Sequence, residues 1–544
     1  MDDDSKKFFD QELGALKKFL NQHRKVDVNI LQDPDAKRII EAMAFFNARI
    51  MQASSENIMN TQLRLALQMF PFLFIPIPAM GILRCKTTLN LRDSILLSKG
   101  SEVLATPLFT RKSAPGATFY TVMDLKIQPI SLKSISKAPQ ELQLHFAAFY
   151  PRNGNIGKLS ICIQKFDDYA NSLYIFQHLK KAISVEIRFR NEQGLSEWLV
   201  CDVSYGLSQE THHLMDSDLN HPVYQMRSFL HYPEIELYIH FEVNANSEEG
   251  IPRNWQYFDI KMEFEEPLPE NFHEHVSDEI FQLFTVPIAN LKKDTAKTIV
   301  CDGTKNYYPI RSIDSTYSIH SVLGVYEVTS DGLEVLRPAF IRSGINSYEV
   351  EYFGQFKGQI SFNMPDSIAH PRQIVVEALW FQPEFSENVQ QRLKIEMHNK
   401  KLEGVTCELI DTIHPHYDSS IVEDYDLLLQ LLFLGKNRYL KPSQQLSLIK
   451  SLKIFKNSHF EKIVEAFEKL DITTCPDALH GRKRIYHLQI KKLEEKEQII
   501  LEIFLQRLVL VLNDSTNEPA ELRAQLGSSI LYIDQRGIIA NYEQ

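Results

Sequence analysis

The sequence is poor in glycine, with 20 in 544 residues, which excludes collagen-like and glycine-linker character. Cysteine is scarce too. The six residues Cys85, Cys162, Cys201, Cys301, Cys407 and Cys475 are scattered, and no CxxC pair occurs. A zinc knuckle needs closely paired ligands, and a disulfide framework would be sparse in so long a chain. All six are expected to be reduced, buried or half-buried thiols of a cytoplasmic protein. Basic residues are in deficit: 59 Lys and Arg against 70 Asp and Glu leave a net charge of −11. That balance argues against nonspecific nucleic-acid binding, which needs a basic surface. Long apolar runs are missing as well. Met69–Leu83 is interrupted by Pro71, Pro76 and Pro78, and Ile499–Leu512 by Glu502, Gln506 and Arg507. A spanning helix wants about 20 apolar residues with few charges. The acidic start, Met1-Asp2-Asp3-Asp4, lacks the basic head and apolar core of a signal peptide.

Short catalytic signatures are absent in the same way. There is no GxSxG, no GxxxxGK[ST] and no GxGxxG. Ser343-Gly344 lacks an elbow context, and Gly303-Thr304-Lys305 reads as a turn. The 18 histidines include His212-His213 with His221, His231 with His240, His273 with His275, and His414 with His416. None has HExxH spacing or flanking cysteines, so surface and capping roles are expected rather than a metal centre. Asp167-Asp168 reads as a helix N-cap, and Arg482-Lys483-Arg484 as a solvated loop. No catalytic, cofactor-binding or metal-binding residue is assigned, and no cofactor is expected.

What is present is a change of period along the chain. Phe9, Leu13, Leu16 and Leu20 are spaced four, three, four, the signature of one helix face. Asp33-Pro34 is an N-cap followed by proline at the first helical position, and starts a second helix. Its stripe is Ile39, Met43, Phe46 and Ile50. A third helical stretch, from about Ser55, carries Ile58, Leu65 and Met69 and ends at Phe70-Pro71. Strict alternation follows at Leu142, Leu144, Phe146 and Ala148; at Val185, Ile187 and Phe189; at Leu237, Ile239, Phe241 and Val243; and at Phe258, Ile260, Met262 and Phe264. These are half-buried strands of sheets with one wet face. A short helix is expected near Asp168–Lys181. Glu265-Glu266-Pro267-Leu268-Pro269 suggests a break within this β-rich region. Helices return with Tyr425, Leu428, Leu429 and Leu432, closed by Gly435, and with Pro442-Ser443. Ser458 and Glu461 form a capping box ahead of Ile463, Val464, Phe467 and Leu470. From Ile485 strands are expected again, with a helix around Leu493–Leu512.

The chain thus reads as a multi-domain α+β protein. An N-terminal helical segment (1–81) precedes β-rich, mainly antiparallel domains (82–266 and 267–420) and a mixed α/β C-terminal part (421–544).

Several passages, in order, resemble one family: TssF, a baseplate wedge subunit of bacterial type VI secretion systems. Phe8-Phe9-Asp10-Gln11-Glu12-Leu13 resembles the family's start. Asp33-Pro34-Asp35 with Arg38, Glu41-Ala42, Phe45 and Ala48-Arg49 is similar to its second helix. Phe70-Pro71-Phe72-Leu73 and Pro76-Ile77-Pro78-Ala79-Met80 are similar to its YPHYL.P.PSM passage, with Phe72 where the pattern has His. Lys99-Gly100-Ser101, and Phe119 with Thr121, Asp124 and Pro129, continue the match. So do His221-Pro222 leading to Phe229, Pro233 and Glu234; Thr285–Leu291; Tyr308-Pro309; Tyr326-Glu327-Val328; and Val375–Leu379.

The resemblance implies a non-enzymatic, cytoplasmic scaffold. It would form a wedge with a TssG-like subunit and a second copy of itself, and bind TssE-like, TssK-like and VgrG-like components. It would dock at the inner face of the cytoplasmic membrane without inserting, and support sheath and tube assembly. It implies no nucleic-acid partner. The partner-contact residues expected are Phe9, Leu13, Leu16, Ile39, Met43, Phe46 and Ile50. The alternative is a β-sandwich carbohydrate-active enzyme, which would need two carboxylates facing one cleft about 5–10 Å apart.

Overall fold

In a computed structural model, the structure describes residues 3–22, 34–108, 116–165, 168–207, 221–244, 250–339, 346–353, 357–364, 370–383, 385, 393–398, 402–417, 442–451, 459–477, 481–514, 519–527, 529–537 and 539–542. The chain divides into two compact units. One is Met1–Pro71 with Ile421–Leu440; the other is Phe72–Ser420 with Lys441–Gln544.

The first unit is built on two helices, α1 (Asp3–Gln22) and α2 (Pro34–Met69). The second and third helices expected from the sequence are one element of 36 residues. The reason is local: between Pro34 and Pro71 there is neither glycine nor proline, so polar Ser54-Ser55 has nothing to break the turn. α2 stops where proline disfavours helical backbone in the residue before it. The Phe70 amide closes the last turn on the Ala66 carbonyl at 2.8 Å. The Asp33 N-cap and the Tyr425–Gly435 stripe lie outside the described residues, as do the Leu20 and Met69 side chains.

The second unit is dominated by antiparallel sheet. Its largest sheet runs Phe281–Leu283, Leu159–Ile163, Tyr238–Val243, Leu199–Tyr205, Ala182–Asn191, Trp255–Phe264, Glu141–Arg152, Ile130–Ala138, with Gly194–Leu195 on its side. All four alternating stretches lie here. Register sets Ile260 between Leu144 and Ile187, and Phe258 between Phe146 and Phe189. These side chains are buried, and the Phe146 and Phe258 rings stack at 4.6 Å. The intervening residues make a polar face. Asp259 accepts from Arg188 at 3.1 Å and contacts His145 at 2.7 Å, while Lys261 joins Glu186 and Glu263 at 2.7 Å.

A six-stranded sheet has the order Leu393–Met397, Glu102–Pro107, Ala117–Thr121, Thr285–Ala289, Met80–Thr87, Val405–Leu409. It takes strands from both sides of Glu265–Pro269, and Phe281–Leu283 likewise returns to the largest sheet. Hydrogen-bonded sheet therefore runs across the expected break. The stretch itself is anchored: Leu268 is buried and its amide meets the Pro139 carbonyl at 2.6 Å.

Two smaller sheets share a core. Arg372–Phe381 and Ser318–Thr329 contribute Val325, Ile374, Val376 and Trp380. Tyr308–Ile310 and Lys357–Asn363 contribute Ile310 and Ile360. Last comes a five-stranded sheet of Phe467–Asp477, Gly481–Ile490, Ala520–Leu526, Ser529–Ile533 and Ile539–Tyr542. Gly481–Ile490 and Ala520–Leu526 are parallel, so a crossover must join them. Helix Glu495–Asp514 supplies it and buries Leu501, Phe504, Leu505, Leu508 and Val509.

Three local readings need correction here. The helix Glu461–Glu465 is capped at Phe460 without a side-chain bond, and Ser458 lies outside the described residues. Phe467 and Leu470 belong to a strand instead of that helix; the register shift between Phe467 and Lys469 lets two side chains three residues apart both be buried. Arg482-Lys483-Arg484 lies on a strand, where Lys483 pairs with Glu521 and Arg484 is buried.

Candidate partner-docking surface

α2 has two unlike faces. Ala44, Ala48 and Ala66 are buried. They are four and eighteen residues apart, about one and five turns, and so share a face. α1 packs against α2 with Phe9, Leu13 and Leu16 half-buried. Alanine on one helix lets the other approach closely. The Asn47 amide also reaches Glu12 Oε2 at 3.5 Å.

The opposite face carries the predicted stripe. Ile39, Met43, Phe46 and Ile50 are 61, 52, 64 and 65 % exposed. Phe45 meets Phe46 edge-on at 6.0 Å, and the Arg49 guanidinium lies 5.6 Å from the Phe45 ring centre. Met51, Ile58, Met59 and Leu65 continue apolar exposure along the helix. An open depression of about 590 Å³ follows, lined by Ile50, Ala53, Asn57, Ile58 and Thr61. Charges stay on the flanks, in the helical pairs Lys37–Glu41 and Arg38–Asp35. Apolar exposure on this scale is uncommon on a helix that needs no further cover.

The seven predicted contact residues therefore fall into two groups. Those of α1 are partly used on α2; those of α2 face outward. The buried side of α2 is the one that carries Ala44 and Ala48. That face went unnoticed, although the Ala44-x-x-x-Ala48 spacing is its signal.

In the second unit, the passages quoted for the family resemblance meet one another. The Phe72 ring stacks on His221 at 3.4 Å, and His221 Nδ1 accepts from the Val223 amide to cap helix Pro222–His231. Buried Arg227, from that helix, donates to the Phe72 and Ile75 carbonyls at 3.0 and 2.9 Å. Phe229 packs on Phe460 at 5.2 Å, and Glu234 contacts His459 at 3.2 Å. The Asn290 side chain bonds the Thr118 carbonyl and the Gln382 amide at 2.8 and 2.7 Å. These residues join segments distant in sequence.

The histidines divide as well. His221 caps, but His231, His240 and His320 are buried, a correction to the surface reading. His240 is held between Ser160 Oγ and the Gly206 carbonyl at 2.7 and 2.8 Å; burial lowers its pKa to about 4. His320 Nε2 donates to the Pro76 carbonyl at 2.7 Å, and burial lowers its pKa to about 3. His414 stacks on Tyr232, and His416 on Phe381. Aromatic packing and backbone bonds thus account for their placement. Among the described residues no group of three or more His, Cys, Asp or Glu is arranged to hold a metal ion. Asp168 caps helix Tyr169–Leu179, accepting from Asn171. His212, His213, Asp167 and Ser343 lie outside the described residues. No helix among the described residues is long and apolar enough to cross a membrane.

Residues 1–353, well over half the chain, match the family described as type VI secretion system, TssF. The chain belongs to the TssF family. No curated protein matches it. Two solved structures share its fold. One is a chain of a type VI secretion system TssK-TssF-TssG baseplate subcomplex, with TM-score 0.67 and 14 % identity, covering 93 % of this chain and 98 % of that one. The other is a chain of the type VI baseplate complex, with TM-score 0.58 and 12 % identity, covering 99 % of this chain and 98 % of that one. The fold shared with these two chains extends well past residue 353.

Proposed function

We propose that this TssF-family chain is a structural subunit of a type VI secretion baseplate, acting through assembly and not through catalysis. The observation that carries the reading is the exposed stripe Ile39, Met43, Phe46, Ile50 on a helix whose other face already holds α1. Burying such side chains contributes roughly 1.5–3 kcal/mol each. A helical face of this kind suits a bundle with helices of other chains.

The occupant is a TssG-like subunit, with a second copy of this chain completing the wedge. The solved subcomplex that the chain resembles contains TssK and TssG beside TssF, which supports a TssK-like contact too. TssE-like and VgrG-like components belong to the same assembly in this reading. Residues 1–81 then serve as the docking segment, and the sheets of the second unit as the body that carries ring geometry to sheath and tube. The protein works at the inner face of the cytoplasmic membrane, held there by the apparatus. Family membership is the ground for setting aside a carbohydrate-active enzyme.

The test is Phe46→Asp. A charge on the stripe must be desolvated for the bundle to close. The variant is expected to lose co-purification with the TssG-like subunit while the second unit melts cooperatively at an unchanged temperature. Retained binding would sink the interface assignment.

A further inference from the structure

Cys85 and Cys407 are exact register partners on adjacent antiparallel strands, Met80–Thr87 and Val405–Leu409. Their sulfurs are 3.8 Å apart. The ladder fixes which kind of pair this is. The Ile410 amide donates to the Ile82 carbonyl at 3.0 Å, and the Thr88 amide to the Gly404 carbonyl at 2.9 Å. Counting in twos, the pairs 82/410, 84/408, 86/406 and 88/404 are the hydrogen-bonded ones. The Cys85 amide accordingly turns away and donates to the Phe284 carbonyl at 2.8 Å. Cys85/Cys407 is therefore a non-hydrogen-bonded pair, where Cα atoms sit about 4.5 Å apart and side chains converge. That separation lies within the ~4.4–6.8 Å a disulfide bridges, so no strand has to move.

The two thiols are unequal. Cys85 is 1 % exposed, while Cys407 is half-buried on the edge strand of the sheet. The Cys85 thiol hydrogen-bonds the Cys407 sulfur, which holds Cys407 below the ordinary thiol range. The same bond, with burial, pushes Cys85 well above it. Elsewhere Cys162, Cys201 and Cys301 are buried. Half-buried Cys475 faces Lys483 across its strand pair and has no thiol there.

We propose that Cys85 and Cys407 form a site of reversible oxidation: Cys407 attacks a small-molecule disulfide such as oxidised glutathione, and Cys85 resolves the adduct into a Cys85–Cys407 bond. In the first step the Cys407 thiolate bonds to one glutathione sulfur, the glutathione S–S bond breaks, and a glutathione thiolate leaves. In the second, Cys85 loses its proton, its sulfur attacks that of Cys407, and the second glutathione thiolate leaves. The two protons given up by the cysteines end on the two glutathione thiolates. The protein is oxidised by two electrons and one glutathione disulfide is reduced. The bond would close a loop between residues 322 apart in sequence, linking the strand near the entry of the chain into the second unit to the one near its exit at Ser420.

The experiment treats the full-length protein with excess oxidised glutathione, blocks remaining thiols with N-ethylmaleimide, and maps peptides by mass without reduction. A Cys85–Cys407 linked peptide is expected, removed by dithiothreitol, together with a higher melting temperature of the second unit. Any adduct on Cys475 serves as the gauge of simple accessibility. In Cys85→Ser, Cys407 should keep a stable glutathione adduct; in Cys407→Ser, Cys85 should remain a free thiol. If the unmutated chain carries glutathione on Cys475 while Cys85 and Cys407 are both blocked by N-ethylmaleimide, the proposal fails. If Cys85 is modified in Cys407→Ser, the assignment of attacker and resolver is overturned.

Discussion

Helix α2 and the largest sheet both announce themselves by evenly spaced apolar side chains, and they dispose of them in opposite ways. In the sheet, Leu144, Phe146, Ile187, Phe189, Phe258 and Ile260 align across three strands and are all buried. In α2, Ile39, Met43, Phe46 and Ile50 are just as regular and stand in the open, while alanines take the inner face. Periodicity therefore says that a face wants cover. It does not say whether the cover comes from the same chain.

The comparison can be broken experimentally at either end. The largest effect is expected from Phe258→Ala. This ring is fully buried between Phe146 and Phe189, and removing a core phenylalanine costs roughly 3–5 kcal/mol. Denaturant titration of the isolated protein should show the midpoint fall; an unchanged midpoint would mean that the sheet core is not what stabilises the second unit.

Next comes pH. His240 is neutral in the folded chain, with a pKa of about 4, against roughly 6.5 when unfolded. Between those values the unfolded chain binds a proton that the folded chain refuses. Stability from this group is full above pH 6.5, declines as pH falls, and levels off below about pH 4, a loss of roughly 3 kcal/mol. Melting at a series of pH values should show this slope, and His240→Asn should make it shallower, leaving the part that buried His320 contributes. An identical slope in the variant would assign the acid sensitivity elsewhere.

Ala48→Leu should act on the first unit alone. Overpacking the α1–α2 contact costs about 1–3 kcal/mol, and far-UV circular dichroism should report loss of helix at lower temperature. A stabilised variant would mean that the alanine face is loosely packed. Smallest of all is the effect of Phe46→Asp on the melting of the uncomplexed chain, expected within about 0.5 kcal/mol as for other exposed sites. A large loss would move Phe46 from the outward face to an internal core and erase the contrast.

Local chemistry explains which parts of this fold were readable. Pro34 and Phe70-Pro71 bound α2 because proline acts on its nearest neighbours, and Asp168 caps a helix within three residues of itself. The four alternating strands were located because the face of a strand is written every second residue. Pairing was not readable. Thr285–Ala289 lies between Met80–Thr87 and Ala117–Thr121 in a sheet that ignores the proline-rich stretch at 265–269, since hydrogen-bond partners are chosen across hundreds of residues. Phe467 and Leu470 had a helical spacing, and the bulge that buries both on a strand left no local mark. The regular apolar stripe of α2 was legible in full; its buried counterpart was not, because alanine carries little hydrophobic signal. The thiol pair is the extreme case, as nothing near either cysteine points to the other.

The pairing of Met80–Thr87 with Val405–Leu409 also sets a timetable. A ribosome making about 5–20 residues per second needs roughly 15–65 s to pass from Cys85 to Cys407. Through that interval Met80–Thr87 waits with its outer edge unpaired. Thr285–Ala289 emerges earlier and can take the other edge. A nascent chain of this protein therefore carries an open strand for most of its synthesis, and a holding chaperone that covers sheet edges has its longest opportunity there.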